Sequence, residues 1–136
     1  KVILAHKESM GAAVAVVFIQ NEIMYCTWQG NVRVYACGNS KYECLTQDHV
    51  LDTGYGEKRL TRCLKGQGVR DDLPVISQNL SKCCDYIAIC TDGFYEHYED
   101  VIAQSIERHI DFCSPVTDDL SVVWVMINEI NIDYSE

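Results

Sequence analysis

Apolar residues in this chain fall mostly into short blocks of strand length rather than along helical stripes. Gly11 to Gln20 (GAAVAVVFIQ) is a continuous apolar run, the pattern of a buried strand. Asn21-Glu22 reads as a turn into a second strand, residues 23–29 (IMYCTWQ). Gly30-Asn31 then punctuates a third, residues 32–37 (VRVYAC), where Val32, Val34 and Ala36 alternate with Arg33 and Tyr35. Cys37-Gly38-Asn39-Ser40 is turn chemistry, and KYECL, residues 41–45, resumes the sheet. Four strands in succession predict an antiparallel meander.

The stretch from Thr46 to Gly68 is richer in Gly, Asp and basic residues and reads as loop with short ordered pieces. Residues 73–77 form a short strand with Pro74 near its start, which suits a sheet edge. Residues 86–90 (YIAIC) form a further strand. From Tyr98 the period changes: Ile102, Ile106, His109 or Ile110, and Cys113 recur at helical spacing, with Glu99 and Asp100 at the N-terminal end and Pro115 past the stop. Leu120 to Ile127 returns to strand, and the tail is polar enough to fray. With no repeat and no linker, residues 1–136 read as a single domain. Strands, one helix and a strand predict an α+β fold of antiparallel sheets with a flanking helix.

Composition adds limits. A chain of 136 residues, 48% apolar and 23% charged, has the makings of a real core. A net charge of −9, from 20 acidic and 11 basic residues, argues against nucleic acid as a partner, because phosphate backbones demand a basic footprint. It also requires a metal to reverse the local field wherever phosphate is handled. The longest apolar runs are too short to span a bilayer, so no membrane partner is expected, and no stretch reads as a cleaved leader. The eight cysteines contain no CxxC pair and sit largely in apolar stretches, the usage of reduced core thiols in a cytoplasmic protein.

Candidate chemistry gathers at two strand ends. Asp92-Gly93 follows YIAIC and Thr91, and Asp118-Asp119 precedes the last strand. Asp-Gly alone is a common hairpin turn, but the following Phe-Tyr-Glu-His-Tyr does not read as a partner strand, and a second acidic pair elsewhere suggests a site. No GxSxG elbow surrounds a serine and no signature loop surrounds a cysteine, so covalent nucleophiles have little support. His97 could protonate a leaving group and otherwise reads as a surface histidine. Trp28 and Trp124 read as core or half-core aromatics, and Arg33 as an outward strand residue making a surface pair.

Six pieces occur in one order: SMGAAVAVVFI, MYCTWQGNVRVY, LTQDH, LTRCLKG, DYIAICTDGFYE and TDDLSVVWVMI. Together, from about Ser9 to about Ile127, they resemble the later half of the metal-dependent serine/threonine protein phosphatases of type 2C. The resemblance implies an antiparallel β-sandwich with flanking helix, truncated relative to the family. It implies Mn²⁺ or Mg²⁺ as cofactors, two or more ions in a complete site, and a phosphorylated protein as substrate. It implies hydrolysis of phosphoserine or phosphothreonine by metal-activated water, with no covalent enzyme intermediate. By it Asp92 and Asp118 are metal ligands, Asp119 is a neighbour where the family usually has Asn, and Asp48-His49 has a structural place.

The resemblance is incomplete. The family's Gly-Asp-Ser-Arg appears as Gly30-Asn31-Val32-Arg33, so Asn31 stands where a carboxylate serves an additional, weaker metal position. Glu96 matches another ligand of that same position. The family's early acidic motif, phosphate-gripping arginine and Asp-Gly-His-Gly do not occur in the chain, which on this reading owns half of a binuclear site. The alternative is a catalytically inactive phosphatase-like module acting through protein–protein interaction.

Overall fold

The computed structural model describes residues 11–65, 72–80, 84–104, 112 and 118–127. They form eleven strands, β1 (Gly11–Ala12), β2 (Val14–Gln20), β3 (Ile23–Gln29), β4 (Arg33–Gly38), β5 (Lys41–Cys44), β6 (Val50–Asp52), β7 (Lys58–Leu60), β8 (Leu64–Lys65), β9 (Val75–Asn79), β10 (Tyr86–Cys90) and β11 (Val122–Met126), with one helix, α1 (Asp92–Tyr98), and a 3₁₀ turn at Glu99–Val101. Every pairing is antiparallel. The chain divides into two compact units: one takes the residues up to Val32 and Gln47–Asn79, the other Arg33–Thr46 and the residues from Leu80 onward.

The expected four-strand meander is in fact two hairpins in different sheets. β2 and β3 pair across Asn21-Glu22 and continue to β9, giving the order β2-β3-β9, while β4 and β5 pair across Asn39-Ser40 in a sheet ordered β11-β10-β4-β5. The break falls at Gly30, whose φ of +96° turns the chain out of β3. A Cβ on Gly30 would sit 2.7 Å from that of Ala13, so the turn is also tightly packed. Ala13 likewise interrupts the predicted first strand, separating β1 from β2. Alternation could not reveal either break, because it reports which face of a strand a residue occupies and not which sheet the strand joins.

Both hairpin turns hold two consecutive residues at positive φ: Asn21 and Glu22 at 50° and 62°, Asn39 and Ser40 at 54° and 58°. Such turns match the twist of the paired strands and favour Asn-Gly. The strand with Pro74 before it, β9, lies at a sheet edge as expected.

In the Arg33–Thr46 and Leu80-onward unit, β10 is central, flanked by β4 and β11. Ala88 pairs with Tyr35 on one side and Trp124 on the other. This short residue between two large ones leaves room over the sheet for α1, whose Phe94 is fully buried. Phe94 meets Trp124 and Phe112 edge-on, with ring centroids 6.1 and 4.9 Å away. The core comprises Tyr35, Cys37, Tyr86, Ala88, Cys90, Phe94, Tyr95 and Ile102.

The helix differs from expectation. It starts at Asp92, directly after the strand, not at Tyr98, and passes into the 3₁₀ turn where the predicted helix should begin. Gly93 and three aromatics obscure the helical period, although Phe94, Tyr95 and Tyr98 share one buried side. The remaining predicted helix positions, Ile106, His109, Ile110 and Cys113, lie outside the described residues.

Glu22 occupies a left-handed position without the hydrogen-bonding excuse of Asn. Glu22→Gly is therefore expected to stabilise the fold by about 0.5–1 kcal/mol, read as a raised urea midpoint with an unchanged slope.

Candidate functional site

The two strand ends singled out in the sequence meet through their backbones. β10 and β11 are paired as far as Cys90 opposite Val122, and the Thr91 N–H continues the ladder by donating to the Ser121 carbonyl at 3.0 Å. The Thr91 hydroxyl accepts from the Ser121 N–H at 3.1 Å and lies 3.3 Å from the Asp119 carbonyl. Its side chain thus stitches the start of α1 to the segment that carries Asp118. Gly93 follows the same logic: a Cβ there would lie 2.5 Å from the Asp119 carbonyl oxygen. Only glycine lets the helix start press this closely on residues 118–120.

Asp92 is the first residue of α1, half-buried, and its Oδ1 accepts from the Gly93 N–H at 3.1 Å. A carboxylate there is favoured by the helix dipole. Asp118 is exposed, and its Oδ1 accepts from the Asp119 N–H at 2.9 Å. Glu96 is exposed on α1, one turn beyond Asp92. Asn31 belongs to the other unit and follows the Gly30 turn. Oxygen donors suit the hard cations expected here. Yet among the described residues no group of three or more His, Cys, Asp or Glu side chains is placed to hold an ion. The donors fit Mn²⁺ or Mg²⁺ in kind, but not in number.

Beside this junction stands a network that the sequence did not reveal. Glu99 accepts from Arg33 Nη1 at 3.2 Å and from the Tyr35 hydroxyl at 2.7 Å. The Arg33 guanidinium lies over the Tyr95 ring, 3.8 Å from its centroid. Arg33 therefore corrects the surface-pair expectation: it is partly buried and ties β4 to both α1 and the 3₁₀ turn. Burial pushes the Tyr35 phenol far above its ordinary range; the Arg33 hydrogen bond opposes this and the Glu99 bond adds to it. An alternating strand followed by a distant Glu carries no sequence signal for such a contact. Thr91, by contrast, could have been noticed as a hydroxyl standing before Asp-Gly.

The other candidates are quieter. His97 is exposed at the end of α1. Trp28 is buried and Trp124 half-buried, as read from sequence. Burial pushes the Cys26 thiol to about 11 and the Cys37 and Cys90 thiols to about 12. These three core cysteines are thus poor nucleophiles at neutral pH. His49 proves structural: its ring stacks on Trp28 at 5.8 Å between centroids, and Nδ1 accepts the Gly30 N–H at 3.2 Å.

Structures of known proteins share this architecture. The serine/threonine phosphatase Stp1 of Staphylococcus aureus matches 90% of this chain and 59% of its own, with a TM-score of 0.63 and 15% identity. PppA, a key regulatory component of T6SS in Pseudomonas aeruginosa, matches 79% of this chain and 48% of its own, with a TM-score of 0.62 and 19% identity. The fold is that of the type 2C serine/threonine phosphatases. The Mycobacterium tuberculosis serine/threonine phosphatase PstP/Ppp also aligns, over 76% of this chain and 50% of its own, at a TM-score of 0.53 and 13% identity. The chain thus spans about half the length of these 2C-type structures. No protein-family model and no curated protein sequence matches it.

Two outcomes follow from the contacts. Gly93→Ala, which would gain about 1 kcal/mol in an unconstrained helix, should instead cost roughly 1–3 kcal/mol by overpacking, measured by urea unfolding. For His49, burial first and Arg62 second lower the pKa from 6.5, against the opposing pull of Asp48. The folded state holds the imidazole neutral, so its contribution is complete above about pH 6.5 and is lost as pH falls below that value. Unfolding midpoints should drop between pH 7.5 and 5.5, and His49→Phe, which keeps a ring on Trp28, should flatten that part of the profile.

Proposed function

We propose that this chain is part of a metal-dependent protein serine/threonine phosphatase, to which it contributes Asp92 and Asp118 as ligands for Mn²⁺ or Mg²⁺. The observation that supports this most directly is the junction at Thr91, Gly93 and Asp119, which fixes two carboxylate-bearing segments against each other by hydrogen bonds and a glycine-only approach. Rigid placement of acidic ligands is what a hydrolytic metal centre demands of its scaffold. The cations would supply an activated water and neutralise charge on a phosphoserine or phosphothreonine group. The chain's own part is to hold Asp92 at the helix start and Asp118 at the adjoining strand entry. Glu96, one turn along, is assigned to a weaker additional position. The free, buried thiols suit a reducing, cytoplasmic setting, which is part of the same proposal.

A second reading is a phosphatase-like module that binds a partner without turnover. It is favoured by the absence, among the described residues, of three ligands in one group.

Calorimetric titration of Mn²⁺ into the chain and into Asp92→Asn and Asp118→Asn separates the two. The phosphatase reading expects heat of binding that either substitution weakens about tenfold or more, with far-UV circular dichroism unchanged. Phosphate release from a phosphothreonine peptide in the presence of Mn²⁺ should fall in parallel. Absence of binding by the unaltered chain would favour the non-catalytic module.

A further inference from the structure

The run GAAVAVVFIQ reads in sequence as a buried strand, but in the structure β2 is a sheet edge. β3 pairs with it along its whole length, Val14–Gln20, and among the described residues no strand lies on its other side. Val16 is 54% and Phe18 58% exposed. Both stand on one face, where the register runs Val16–Thr27–Val75 and Phe18–Tyr25–Ser77 across the three strands, with no charged residue among them. Edge strands are usually blunted by a charge, a proline or brevity. The other edges of the two larger sheets keep to this: β9 follows Pro74, β5 carries Lys41 and Glu43, and β11 starts just after Asp118-Asp119. β2, VAVVFIQ, has none of these protections.

The strand is also complementary to itself. Antiparallel pairing of two copies about Val17 sets Val14 opposite Gln20, Ala15 opposite Ile19 and Val16 opposite Phe18, a smaller side chain against a larger one in each pair. Pairing about a two-fold axis brings each residue near its own copy, so any charge in β2 would repel itself, and the strand has none. That matters in a chain of net −9, where two copies repel each other through most of their surfaces. Joined this way, the exposed face continues from one copy to the next. Phe18 keeps Tyr25 on one side, where their ring centroids already lie 6.3 Å apart, and gains the partner's Val16 on the other. Aromatic and β-branched residues placed opposite each other are among the stabilising cross-strand pairs.

We infer that β2 is a self-association edge, through which two copies of this chain pair antiparallel into one continuous sheet. The inference goes beyond the phosphatase reading, and its test uses neither metal nor turnover. One edge-to-edge ladder is small beside a standard interface of about 1,600 Å², so the dimer is reversible and depends on concentration. Sedimentation equilibrium of the full chain, from micromolar to near-millimolar concentration, should show a shift from one to two copies and no larger species, because two-fold pairing uses up both edges. Added salt should tighten the dimer, since it screens the repulsion between the chains while the contact itself is uncharged. Phe18→Lys, at an exposed position, should weaken association about tenfold or more with the circular dichroism unchanged. Combining it with Val16→Glu sets opposite charges face to face twice in this register and should recover much of the loss, which a merely misfolded variant would not do. A chain that stays monomeric throughout would overturn the inference and leave the edge to a strand from another protein. A dimer indifferent to Phe18→Lys, or open-ended growth beyond two copies, would overturn it as well.

Discussion

The unit that carries the acidic residues depends on one close approach, that of the Gly93 backbone to the Asp119 carbonyl. Thr91 extends the β10–β11 ladder by one further reciprocal contact with Ser121, and the chain then turns at once into α1. Because that turn is immediate, Phe94 arrives over Ala88's row and Tyr95 arrives under Arg33. A helix starting a few residues later would present neither. The core packing and the placement of Asp92 are thus consequences of the same joint, which is why a methyl group at Gly93 would disturb both.

Glu99 extends this joint to the far side of β10. It accepts from Arg33 and Tyr35, two residues of β4, while sitting in the 3₁₀ turn that ends α1. A partly buried ion pair adds little net stability by itself, since desolvation offsets attraction. Its effect here is orientation: with the guanidinium also stacked on Tyr95, α1 is fixed at its start by the Thr91 and Gly93 contacts and farther along by Arg33 and Glu99.

Much of this was legible in the sequence, for identifiable reasons. β3 and β10 were readable almost to the residue because each is a short apolar or alternating run between turn residues. Pro74 marked an edge because a residue without an N–H cannot sit in a central ladder. Asp92 and Asp118 stood out as carboxylates at strand ends. The rest was hidden because it depends on tertiary contacts. Gly30 looks like any turn glycine, yet it moves the chain between sheets. Gly93 looks like a turn or a helix breaker, and its reason lies 26 residues away in Asp119. Arg33 looked solvent-facing because alternation reports which side of a strand a residue occupies, not whether a helix covers that side.

Each compact unit is assembled from two separated stretches, with the chain passing from one to the other at Val32–Arg33, Thr46–Gln47 and Asn79–Leu80. No single cut in the coding sequence yields either unit whole. Recombination therefore cannot transplant one of them intact or duplicate it in tandem, and a frameshift or exon loss after Val32 removes parts of both. The two units are bound to a shared inheritance, and selection on one is carried by the same uninterrupted stretch of gene that encodes the other.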